Sequence, residues 1–354
     1  MDTLDFILVA AKTFIIYVGI IQVVPVMIWV ERKGAALIQD RPGPNRVGPF
    51  GLLQPLADAL KFIFKEDPIP GHVNKFLYTL SPFLSLLPAS LVIAVIPFAD
   101  KASIMGRDVL IQIADFDVAI VYVLAISSLG VYGILFGGWA SNNKFSLVGA
   151  MRASSQIISY EIPLGLAAAS AVALYGTFSL REMVFLQEGT LWGVLPNWGI
   201  FFQPLGFLVF LVASFAETNR LPFDLPETEA ELVAGFHTEY GSMKFAVFFM
   251  AEYMNLATVS SMMTTLYFGG WHVPFVSDAR LLEMLGNVNW VALVQVTAFF
   301  AKVSVFMILF VWVRWTVPRF RFDQLMNLAW KNLIPIGLVN LIGTATLMFL
   351  RSRG

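Results

Sequence analysis

The chain has 354 residues, 58% of them hydrophobic and only 13% charged, against about 25% charged in soluble globular proteins. A formal net charge of −1 lacks the basic excess that a nucleic-acid partner requires. With no cysteine, disulfides, thiolate zinc sites and cysteine-held iron–sulfur clusters are excluded within the chain. His72, His237 and His272 lie far apart, in segments read as loops or span ends, which argues against a haem held between facing helices.

The start, MDTLDF, carries two acids where a signal peptide would carry basic residues, and no small-residue cleavage site follows, so the first span is expected to be retained. Apolar runs long enough to cross about 30 Å of hydrocarbon recur along the chain. Eight are read, at 6–30, 77–98, 118–140, 154–175, 199–216, 245–268, 289–313 and 333–350. The fifth is the shortest. The expected fold class is an all-α polytopic membrane protein, a single membrane domain over 1–354. It comprises about eight transmembrane helices, an amphipathic interfacial helix and cytoplasmic loops.

Between the first two spans, DRPGPNRVGP at 40–49 is a turn rich in glycine and proline with two arginines. Its glycine spacing mimics a phosphate-binding loop, but Pro49 and Phe50 stand where Lys and Ser/Thr are needed, so that reading is rejected. GLLQPLADALKFIFKE at 51–66 then places Leu52, Leu53, Leu56, Leu60, Ile63 and Phe64 at helical spacing, with Gln54, Asp58, Lys61 and Lys65 mostly on the other face. Such a helix lies in the membrane interface.

Loops 31–76, 139–153, 217–244 and 314–332 carry 15 of the 23 lysines and arginines. By the positive-inside rule these loops face the cytoplasm and both termini face the periplasm. Lys12 and Lys302 lie inside spans. Snorkelling to the interface accounts for Lys12; for Lys302, near the middle of its segment, both a snorkelling and a buried role stay open.

Two carboxylates, Glu161 and Glu252, fall inside apolar spans. A charge at mid-bilayer costs at least about 2.5–3.5 kcal/mol, so each is expected to face protein or water and either to titrate or to be paired. Pro163 frees a carbonyl near Ser159 and loosens the helix beside Glu161. The stretch 217–241, ETNRLPFDLPETEAELVAGFHTEYG, holds six of the 24 acids against one arginine, Arg220. Asp224 and Glu227 suit a helix start, which leaves Glu229, Glu231 and Glu239 unexplained. Interleaved Leu221, Phe223, Leu225, Leu232, Val233 and Phe236 imply partial burial, where neighbouring carboxylates raise and couple one another's pKa values.

Five stretches together, ERKGAALIQDRPGPNRVG (31–48), GLLQPLADALKFIFKE (51–66), RASSQIISYEIP (152–163), RLPFDLPETEAELVAGF (220–236) and VRWTVPRFRFDQLMNLAWK (313–331), closely resemble one family. It is that of the quinone-chamber membrane subunits of respiratory complex I, the proton-pumping NADH:quinone oxidoreductase of bacteria and mitochondria. The resemblance runs from about residue 6 to 350.

It implies a multi-pass subunit of the bacterial inner membrane that joins the electron-carrying arm to the proton-pumping arm. The bound substrate is a quinone, ubiquinone or menaquinone. Flavin and iron–sulfur clusters belong to partner subunits, and the chain alone holds no catalytic residues, metal, flavin or haem. Arg32, Arg41, Arg46, Asp58 and Phe223 are then expected in the quinone chamber. Glu161, Glu217, Asp224, Glu227, Glu229, Glu231, Glu239 and Glu252 are expected to form a proton pathway, with Arg152, Arg220, Arg314 and Arg319 as counter-charges. Thr228 stands where many relatives have glycine or alanine. The alternatives are the homologous component of a membrane-bound hydrogenase and, from another class, a stand-alone proton-coupled transporter. The transporter requires internal repeats that the two halves do not display.

Overall fold

A computed structural model describes residues 3–191, 193–225 and 232–353; expectations for Glu227, Glu229 and Glu231 therefore lie outside the described residues. The chain is an all-α polytopic membrane protein. Its elements are α1 (Thr3–Ile38), α2 (Gln54–Phe64), α3 (Lys75–Val92), β1 (Lys101–Ile104), β2 (Arg107–Leu110), α4 (Ala119–Ala140), α5 (Lys144–Tyr175) and α6 (Leu180–Phe185). They continue with β3 (Thr190–Leu191), β4 (Leu195–Pro196), α7 (Gly199–Phe202), α8 (Pro204–Glu217), α9 (Ser242–Tyr267), α10 (Asp278–Leu285), α11 (Val288–Thr316), α12 (Phe322–Asn327) and α13 (Ile334–Arg353). A π-helical turn at Leu328–Leu333 joins α12 to α13.

Helix is the form in which an apolar run satisfies its own backbone without water. Among the described residues, six helices have the length and apolarity of a span: α1, α3 with the turn after it, α4, α5, α11 and the α12–α13 rod. The α8 helix has only 14 residues, about 21 Å at 1.5 Å per residue. The expected fifth span is broken at Gln203 because Pro204, at the first helical position, brings no N–H to continue α7. The α9 helix is long enough but carries Lys244 and Glu252 and is not among the six.

Side chains set several helix starts. Asn74, Asn143, Ser179, Ser277 and Asn287 each accept a backbone N–H from the first turn that follows. The α5 helix begins ten residues earlier than its apolar run, since Asn143 caps it before Arg152 and the polar serines are reached. At 36 residues α1 is about 54 Å long, so its last turns, with Glu31 and Arg32, reach past a 30 Å hydrocarbon layer. Two short antiparallel hairpins, β1–β2 and β3–β4, close connections that the hydropathy pattern reads as plain loops.

The principal core joins α1, α3, α4, α5, α6, α8, α9, α11 and α12, with Tyr160, Met183, Phe210, Met263, Phe299 and Leu325 buried within it. Close approach of α4 and α5 depends on Gly138. A Cβ there would overlap the Ala150 methyl and lie 2.5 Å from the Ser146 carbonyl oxygen. A smaller core of Tyr78, Ala140, Ala150, Phe236, Tyr240 and Phe248 holds the segment 232–241 against the starts of α3 and α5.

Candidate functional site

The turn that follows α8 is locked from α5. Gln156 Nε2 donates to the carbonyls of Ala216 at 2.8 Å and Phe223 at 2.7 Å, and the Arg220 N–H reaches back to Phe215 O at 3.2 Å. This places the Arg220 side chain, 3% exposed, between α1 and α9. Its Nη1 donates to Glu31 Oε2 at 2.9 Å, its Nε lies 3.6 Å from Glu252 Oε1, and its guanidinium sits 4.3 Å from the Tyr253 ring centroid. The Tyr253 hydroxyl donates to Glu31 at 2.8 Å, and Arg314 pairs with the other Glu31 oxygen. Arg319 binds Asp224 at 2.9 Å.

Three largely buried carboxylates thus meet three guanidinium groups, of which that of Arg220 is buried as well. Removing two unit charges from water costs several kcal/mol per ion unless pairing and hydrogen bonds replace it, which fixes the partners geometrically. Burial lifts the Asp224 carboxyl above its ordinary range, although Arg319, Arg314 and Arg220 pull it the other way.

Beside this network lies a cavity of about 60 Å³ whose walls include Glu217, Glu252, His237, Asn219, Asn255 and Ser127. That volume exceeds the space one water molecule needs. Glu217 Oε2 is buried without a hydrogen-bond partner among the described residues. Glu161, from α5, lies near enough to Glu217 for their charges to interact. His237 is pushed down to about 4 by burial, so its imidazole is neutral at physiological pH. Glu239 does not line this cavity: its carboxylate accepts from Asn143 Nδ2 at 2.8 Å and lies 3.9 Å from His72 Nε2.

The expected quinone-chamber residues are only partly brought together. Arg32 and Asp58 pair at 2.5 Å and tie the end of α1 to α2, with Gln54 and Lys61 also on Asp58. Arg41 is exposed and donates to Gln39 at 2.8 Å; Arg46 is exposed too. Phe223 is buried, its ring 5.5 Å from that of Tyr160 and 5.4 Å from that of Phe320, so it is a packing residue of the loop. Arg152 stacks 5.9 Å from the Phe322 ring. Lys302 does not snorkel. Its ammonium donates to the carbonyls of Phe268, Gly270 and His272 at 2.7–2.9 Å and lies over Trp198.

Glu31, Gln156, Tyr253, His237 and Asn255 belong to the site and were not singled out by sequence. For Glu31 a signal was available. Ile20, Val24, Met27, Glu31 and Ala35 form one buried stripe at helical spacing, which puts this acid on the inward face of α1.

The NADH dehydrogenase family model matches residues 11–345. Over 322 residues, 91% of each chain, this sequence is 50% identical to an H-type component of the NADH-quinone oxidoreductase of Cytophaga hutchinsonii. It is 45% identical to the H-type component of the same enzyme in Bdellovibrio bacteriovorus over 96% of each chain, and 44% identical to one from Geobacter metallireducens over 98% of each. The resemblance carried by the five sequence stretches is thereby borne out over nearly the whole length. With a family model spanning the helical bundle and the Arg220 network together, the chain belongs to the NADH dehydrogenase family.

Proposed function

We propose that the chain is a membrane subunit of a proton-translocating NADH:quinone oxidoreductase, that it forms part of the quinone chamber, and that it passes the effect of quinone chemistry to buried carboxylates. The observation that carries this reading is Arg220. It is shared between Glu31, which adjoins the Arg32–Asp58 pair, and Glu252, which lines the cavity with Glu217. A change of charge or hydration at the α1–α2 junction alters how strongly Glu31 holds Arg220. Arg220 then shifts its hold on Glu252, and the proton affinity of the cavity changes with it. Glu161 extends the series into the membrane, and the oxygens of Asn219, Asn255 and Ser127 give hydrogen-bonding stations between carboxylates.

In this reading eight helical segments cross the membrane, α8 and α9 within the shelter of the bundle. The helix ends bearing Arg32 and Arg314 and the loop bearing Arg220 face the cytoplasm, and the termini face the periplasm. Flavin and iron–sulfur clusters reside in partner subunits. The quinone is held, not chemically activated, by this chain. The names of the relatives favour NADH over hydrogen as the electron source, and family membership leaves the stand-alone transporter without support.

Exchanging Asp58→Asn releases Arg32 and should raise the KM for a short-chain quinone by roughly threefold to tenfold, the scale of one half-buried ion pair. NADH oxidation by an artificial acceptor should stay unchanged. Unaltered quinone kinetics in an assembled Asp58→Asn complex would refute the chamber assignment at α2.

A further inference from the structure

We infer that Glu188, His272 and Asp278 form a binding site for a divalent transition-metal ion of the zinc class, past the C-terminal end of α9 and away from the Arg220 network. The α9 helix fixes that separation. Glu252 and Tyr253 lie in its first half and His272 follows its last turn, and the stretch from Glu252 to Tyr267 at that end covers about 22 Å. Glu188 comes from the segment after α6, His272 from the loop after α9, and Asp278 is the first residue of α10. Each offers one ligand atom, and all three atoms lie within 4.8 Å of one another.

His272 gives the second, independent observation. It is 3% exposed and its ring packs beside those of Phe185 and Trp271, yet neither ring nitrogen makes an aligned hydrogen bond. A buried imidazole in that state is expensive. Its Nδ1 nevertheless stands 3.2 Å from Asp278 Oδ2. Two donors bound to one tetrahedral zinc at about 2.0–2.1 Å are about 3.3 Å apart, so the separation matches a shared ion where the angle fails for a hydrogen bond.

The carboxylates are held side by side for the same purpose. Glu188 Oε1 accepts the Asp278 backbone N–H at 3.0 Å, which draws a second negative charge toward the first. Among the described residues neither acid pairs with a lysine or arginine. The nearby Lys302 ammonium is occupied by three backbone carbonyls, that of His272 included, so it fixes the loop without neutralising the acids. Glu188 is exposed and opens the site to solvent, where water completes the coordination. One nitrogen and two oxygen ligands suit zinc, cobalt or manganese. The absence of cysteine rules out thiolate sites alone, so the expectation of no metal in this chain is revised at this position.

The assembled complex is stripped with a chelator, titrated with Zn²⁺ or Co²⁺, desalted, and its metal content read by elemental mass spectrometry. The wild type should retain one metal ion per complex more than Glu188→Gln, whose affinity should fall at least about tenfold. His272→Ala should lose the ion as well. Quinone reductase activity of Glu188→Gln without added metal should match the wild type, since Glu188 is remote from the Arg220 network. Equal metal retention by wild type and Glu188→Gln would reduce the cluster to a histidine–aspartate contact and overturn the proposal. If Glu188→Gln does not assemble, Asp278→Asn is read by the same criterion, with the visible Co²⁺ absorption as the signal.

Discussion

At Arg220 the energetics are those of a charge that water cannot reach. Its partners Glu31 and Glu252 come from helices on either side of it. Arg220→Leu therefore strands the buried Glu252 and leaves Glu31 to Arg314 and Tyr253, a loss of about 3–5 kcal/mol, and the variant should assemble poorly or lose activity on mild heating, read by native gel and thermal inactivation. Arg220→Lys should fall between, because lysine keeps the charge but not the fork that spans two partners. His237 supplies a pH signature. Burial lowers its folded pKa to about 4, below about 6.5 in the unfolded chain. As pH falls from about 6.5 toward 4 the unfolded state takes up a proton that the folded state refuses, so stability declines across that window. In His237→Gln this contribution to acid lability should vanish, giving a shallower loss of thermal stability between pH 6.5 and 4. An unchanged slope would place the acid sensitivity elsewhere.

Among the elements, the apolar ones were the most legible. Among the described residues the long helices overlap apolar runs of the sequence, as expected where a membrane admits only segments that satisfy their own backbone. The amphipathic repeat at 51–66 likewise appears as α2, over Gln54–Phe64. What hydropathy could not place were ends. Caps such as Asn143 and the helix break at Pro204 turn on a single hydrogen bond made or missing, which a window average dilutes. The two hairpins escaped for the same reason: each rests on a few local pairings in short strands. The candidate site was half legible. Glu252, Glu217, Arg220, Arg314 and Arg319 stand out as charges in apolar surroundings, whereas their pairing crosses as many as 283 residues of sequence, as between Glu31 and Arg314. Arg41, Arg46 and Phe223 were singled out by motif membership, which carries no information on burial. Motif membership suggested a shared chamber, but two are exposed and the third is packed into the loop's core.

Across the whole molecule, the helices arrange charge at two levels. The Arg220 network and its cavity gather among α1, α8, α9 and α11, while Lys302, from the middle of α11, clamps the His272 loop beyond α9. The central claim is that Glu217 and Glu161 relay the state of the α1–α2 junction as changes in protonation. The direct measurement is the ratio of protons translocated to NADH oxidised, in proteoliposomes holding the assembled complex with Glu217→Gln or Glu161→Gln. The account predicts a lower ratio, or coupled turnover reduced severalfold, with normal NADH oxidation by an artificial acceptor. Wild-type ratios and wild-type quinone reduction in both variants would contradict it.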